Sequence, residues 1–104
     1  MDREKTTRRI EAVIDKISKL LTDIPPEQLQ IANDVVKRVA FMQVLIEDME
    51  QDVIDHGPRR TVVRAYNIQI KSYNNTIKQL LDTLPDKKKE ETDDELIKFL
   101  KRYS

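Results

Sequence analysis

The sequence predicts an all-α protein: a long antiparallel helical hairpin, with an N-terminal helix before it and a short C-terminal helix after it. Three observations lead there. Apolar residues recur at alternating spacings of three and four over residues 28–84. That rhythm keeps a stripe on one helix face and suits helix-on-helix packing. The only glycine, Gly57, is followed by Pro58 in the middle of this region, and together they divide the stripe into two arms. Finally, the charged fraction is 37% with helical periodicity, the composition of long helices with wet outer faces.

The first helix is expected from about Asp2 or Thr7 to Leu21, with Ile10, Val13, Ile14, Ile17, Leu20 and Leu21 as its stripe. Pro25 and Pro26 forbid its continuation and bias Ile24 to extended backbone. Pro26 fits the first turn of the next helix, and Glu27 beside it complements the helix dipole. Helix two then carries Ala32, Val35, Val39, Met42, Ile46, Met49 and Val53, and ends near Asp55 or His56. Gly57 is expected to take the left-handed conformation that closes a helix.

Helix three is expected from Arg60-Thr61, with Thr61 as N-cap, to about Thr83. Its stripe is Tyr66, Ile70, Tyr73, Ile77, Leu80 and Leu84, and Pro85 ends it. The two arms make a hairpin about 40 Å long at 1.5 Å per residue. Lys87-Lys88-Lys89-Glu90-Glu91 reads as a solvated, flexible linker. Thr92-Asp93-Asp94-Glu95 is a capping-box pattern opening the last helix. The organisation is thus an N-terminal helix over 1–24, a hairpin core over 25–85, and a linker with a helix over 86–104, within a single domain.

Helix two has more apolar surface than one neighbour covers. Besides its main stripe it carries Val36, Ala40, Phe41, Val44 and Leu45. A helix apolar on every side is buried on every side. Helices one and three take two faces, and a homo-oligomer is expected to use Val36, Ala40, Phe41, Val44 and Leu45 for the rest. The last helix, about 93–103, is too short to stand alone in water. Leu96, Phe99, Leu100 and Tyr103 are therefore expected to dock it on another subunit or a partner protein.

Composition excludes much. The chain lacks cysteine, so it has neither a disulfide framework nor a thiolate metal site, which fits a reducing cytoplasm. No apolar run suits a membrane span, and MDREKTTRR has no apolar segment behind it to make a secretory signal. No cofactor, metal or enzymatic activity is expected. One glycine makes neither a phosphate loop nor a nucleophile elbow. His56 reads as a cation-capable residue at a helix C-terminus. The acids Glu47, Asp48, Glu50, Asp52 and Asp55 read as a solvated face more readily than as a cation site.

Net charge is zero, yet the arms differ in sign. Residues 25–56 carry two basic and seven acidic groups, and residues 57–84 five basic and one acidic. The basic clusters Arg3, Lys5, Arg8, Arg9 and Arg59, Arg60, Arg64 are candidate phosphate contacts. Tyr66 and Tyr73 lie on the apolar stripe and read as core. Asn67, Asn74 and Asn75 flank them, bonding across a helix interface or facing water.

Residues 28–89 resemble the core of a phage terminase small subunit. The likeness rests on Val39-Ala40-Phe41-Met42-Gln43-Val44-Leu45-Ile46-Glu47-Asp48-Met49-Glu50 and the turn Asp55-His56-Gly57-Pro58. It continues in Val63-Arg64-Ala65-Tyr66-Asn67 and in Lys71-Ser72-Tyr73-Asn74-Asn75-Thr76-Ile77-Lys78-Gln79-Leu80-Leu81-Asp82-Thr83-Leu84-Pro85. The resemblance implies a non-catalytic, ring-forming DNA-packaging factor in the host cytoplasm. Such a factor binds double-stranded viral DNA and loads it onto the large terminase subunit, which is then the partner expected for the last helix. Residues 1–24 hold one amphipathic helix where many members carry a helix-turn-helix, so DNA contacts are expected on the basic clusters. The rival reading is a helical protein–protein module that never meets DNA.

Overall fold

The computed structural model describes residues 3–21, 24–84 and 94–101. Every regular element among them is a helix: α1 (Arg3–Leu20), α2 (Pro26–His56), α3 (Arg60–Asp82) and α4 (Asp94–Leu100). The molecule measures 45 × 27 × 20 Å, and its long axis matches the length of α2.

The breaks fall where local chemistry requires them. Pro25 is extended (φ −56°, ψ 145°) and Pro26 opens α2, where the missing N–H is no loss. At the far end Gly57 donates its N–H to the Val53 carbonyl at 2.8 Å. Its φ of 80° is positive as expected, but ψ is 165°, so the residue is extended rather than left-handed helical. Only glycine occupies that region at low cost. Thr61 is not the N-cap of α3. Arg59 holds that place in extended conformation (φ −112°, ψ 140°) without a side-chain capping bond, and Thr61 falls within the first turn of a helix that already begins at Arg60. The α3 C-terminus closes on Thr83, whose hydroxyl donates to the Leu80 carbonyl at 2.6 Å.

Helix α2 is the central element, with α1 and α3 packed antiparallel on two of its sides. Its register with α3 is read from two hydrogen bonds one heptad apart. The Tyr66 hydroxyl donates to Glu50 at 2.7 Å, and the Gln43 amide donates to the Tyr73 hydroxyl at 2.8 Å. Arg9 fixes α1 by donating to Asp48 at 2.8 Å and to Glu47 at 3.3 Å.

Helix α4 packs back on its own chain. Leu96 and Leu100 are fully buried in the core that Ile17, Val36, Val39, Ile46, Tyr73, Ile77 and Leu80 share. The Tyr73 hydroxyl donates to the Leu100 carbonyl, and α4 also touches α1. The expectation that Leu96, Phe99 and Leu100 dock on another molecule is therefore corrected. Leu96 and Leu100 are enclosed, and Phe99 is half-buried against the same core. Apolar surface on α1, α2 and α3 was already at hand, and internal docking requires no second molecule. Tyr103, the linker and the Thr92 cap lie outside the described residues.

A basic stripe on α3 as candidate nucleic-acid interface

The five residues expected at an oligomer interface separate into two groups. Val36, Ala40 and Val44 are 1%, 0% and 3% exposed, so the chain itself covers them. Helix α1 takes the side of α2 on which they lie, as the Arg9 contacts to Asp48 and Glu47 show. Phe41 remains 55% exposed and Leu45 half-buried. These two are the part of the set that stays open to another molecule.

The basic residues separate as well. Arg9 lies against two carboxylates, and the Asp48 hydrogen bond, ahead of the opposing effect of burial, raises its pKa. It clamps α1 to α2. Arg8 lies 3.6 Å from Glu4 on the exposed side of α1. Arg59 donates to Asp52, which also lies 3.2 Å from His56 Nδ1. The Arg59 hydrogen bond holds the Asp52 carboxyl below the usual carboxylate range, with His56 adding to the effect. Arg3 and Lys5 are exposed near the start of α1.

Arg60 and Arg64 belong to a longer array. At 100° per residue they share a face of α3 with Asn67, Lys71, Asn74 and Lys78, a spacing of four, three, four, three and four. Arg60, Arg64, Asn67, Lys71 and Lys78 are exposed, and Asn74 is half-buried with exposed Asn75 beside it. The array is about 27 Å long at 1.5 Å per residue. From Arg60 to Leu81 the helix carries no acidic residue, and Asp82 is the first. Glu50 of α2 accepts the Tyr66 hydroxyl. Among the described residues none of the four cations has a carboxylate within ion-pairing distance.

Lys71 and Lys78 each stand between uncharged neighbours in the chain, so no run of basic residues marks them. Their one-heptad and two-heptad offsets from Arg64 were the available signal. Tyr66 and Tyr73 face α2, in accord with their reading as core residues.

Among the described residues no group of His, Cys, Asp or Glu is arranged to hold a metal ion. Nor is any of the described helices long and apolar enough to cross a membrane. Compared with protein-family models, with curated proteins and with solved structures, the chain matches none.

Proposed function

We propose that the chain is a non-catalytic helical module that binds double-stranded DNA along α3. The observation that carries this reading is the acid-free array of Arg60, Arg64, Lys71 and Lys78, interleaved with asparagine amides. Cations spaced along a straight helix suit a phosphate backbone, and amides add hydrogen bonds to phosphate or base edges. Arg60 also opposes the positive end of the α3 dipole and has no carboxylate partner among the described residues. Such a placement costs stability unless an anion arrives. The resemblance to terminase small subunits extends the proposal to viral DNA packaging, with delivery of DNA to a large terminase subunit. In that role the large subunit meets a surface other than buried Leu96 and Leu100.

Anisotropy titrations of labelled duplex DNA at two or more salt concentrations test the reading. Neutralising four phosphates gives a limiting slope of log K against log salt of about −3.6, at roughly −0.9 per phosphate. The pairs Arg60→Ala with Arg64→Ala, and Lys71→Ala with Lys78→Ala, are each expected to weaken binding and flatten that slope. No binding at about 50 mM salt, or binding indifferent to all four substitutions, overturns the proposal and favours a protein–protein module.

A further inference from the structure

Two residues near the centre of the α3 array carry no charge. Asn67 and Ile68 are both exposed and lie within two residues of the midpoint between Arg60 and Lys78. Ile68 is 57% exposed. The other isoleucines of the helix, Ile70 and Ile77, pack into the core, and Ile68 takes no part in it. It lies about 160° around the helix from Ile70, at 100° per residue. Arg64, Lys71 and Asn75, all exposed, share its side at offsets of four, three and seven.

A helix laid on a duplex gives the middle of such an array a different task from its ends. The major groove is about 12 Å wide and admits an α-helix. The groove winds around the duplex, whereas the array runs straight for about 27 Å. A straight rod in a winding groove sits deepest at its midpoint, and its ends rise to the phosphate backbones. Arg60 and Lys78 are then placed for phosphates, and Asn67 and Ile68 for base edges. An asparagine amide matches the donor and acceptor of adenine N6 and N7, and an apolar side chain packs on the thymine methyl. Lys71 lies as near the midpoint. Its ammonium sits on a long flexible stem and reaches a phosphate as a point charge.

We infer that α3 reads A·T base pairs in the major groove, with Asn67 bonding adenine and Ile68 packing on a thymine methyl. The inference rests on the DNA reading above and adds a base preference to it. The cations give affinity that is blind to sequence, and the uncharged pair between them supplies the discrimination.

Short duplexes of alternating sequence, titrated with the full chain at one salt concentration, test it. The probes are adenine–thymine, adenine–uracil, 7-deazaadenine–thymine and guanine–cytosine alternations. Alternation presents each base in every register, so no particular binding site has to be known. Uracil lacks the thymine methyl, and 7-deazaadenine lacks the N7 acceptor, while the phosphate charge is the same throughout. The adenine–thymine duplex is expected to bind most tightly. Loss of the methyl should weaken binding about fourfold, the worth of one buried methylene-sized group. Loss of N7 should weaken it at least about fivefold, the low end for a bidentate base contact. In Ile68→Ala the thymine and uracil duplexes should bind equally, and in Asn67→Ala the adenine and 7-deazaadenine duplexes should. Circular dichroism should show unchanged helical content in both variants, since both side chains are exposed. No binding of any duplex overturns the DNA reading and the inference with it. Equal binding of all the duplexes, tighter binding of the guanine–cytosine duplex, or a methyl or N7 effect that survives its substitution overturns the inference alone.

Discussion

Gln43 and Tyr73, one on each arm of the hairpin, are joined side chain to side chain at 2.8 Å with neither exposed to solvent. The Gln43 amide also approaches the Phe99 carbonyl at 3.4 Å, and the Tyr73 hydroxyl donates to the Leu100 carbonyl. Two polar side chains inside an aliphatic core thus bind the last two carbonyls of α4. Buried polar groups are tolerable when bonded and costly when left open, so the pair favours one seating of α4 over a slide along the groove. Gln43 Oε1 is the one buried side-chain acceptor without a partner among the described residues.

Tyr73→Phe is expected to destabilise the chain by about 1–3 kcal/mol, because it strands the Gln43 N–H and the Leu100 carbonyl together. Thermal unfolding should show a fall of at least about 4 °C. Amide exchange in residues 94–100 should quicken more than in α2. An unchanged melting point, or equal quickening everywhere, counts against Tyr73 as the anchor of α4.

The hairpin was legible because a three–four apolar rhythm has one geometric meaning, and Gly57-Pro58 admits no helical continuation. The seating of α4 was not. Leu96 and Leu100 announce an apolar face, but a charged linker says nothing about which apolar surface receives it. Gln43 does not declare itself a core residue by type, because glutamine is usually exposed. Its neighbours one turn either way, Val39, Ala40 and Ile46, are all buried, and that was the signal. Arg9 looked like a phosphate contact because the chain near it is basic. Its acidic partners lie 38 and 39 residues away, a distance no local pattern spans.

Arg9→Ala is expected to loosen α1 and leave DNA affinity unchanged. About a third of each side chain in the pair is exposed, so solvent screens the attraction, and the loss should be about 1 kcal/mol or less. Denaturant unfolding measures the first effect and a duplex-DNA titration the second. Equal stability with weakened DNA binding would return Arg9 to the DNA-contacting set.

Gly57→Ala isolates backbone strain. A Cβ at this position meets nothing within 4 Å, so any loss comes from φ of +80° alone. The expected cost is about 1–3 kcal/mol. The cost should fall on the turn, seen as faster exchange of the amides near His56 and Arg60 with α4 unaffected. A substitution without thermodynamic cost would mean that the turn relaxes into another conformation.

Alkaline pH acts through Tyr66. Its hydroxyl donates to the Glu50 carboxylate at 2.7 Å, and ionisation would set a phenolate against that carboxylate. The Glu50 hydrogen bond first, then burial, then repulsion raise the Tyr66 pKa above the ordinary tyrosine value near 10. A group whose folded pKa is raised contributes stability that is complete below the unfolded value and disappears as pH climbs through the folded one. The pair should therefore hold the hairpin tip at neutral pH and weaken only above about 10. Phenolate absorbance, with Tyr66→Phe subtracted to isolate this residue, should show Tyr66 titrating later than in unfolded chain. Glu50→Gln keeps an acceptor but removes the charge, so the midpoint should move back toward the ordinary value. If Tyr66 titrates as in unfolded chain, or Glu50→Gln leaves its midpoint in place, the Glu50 carboxylate is not what holds the proton.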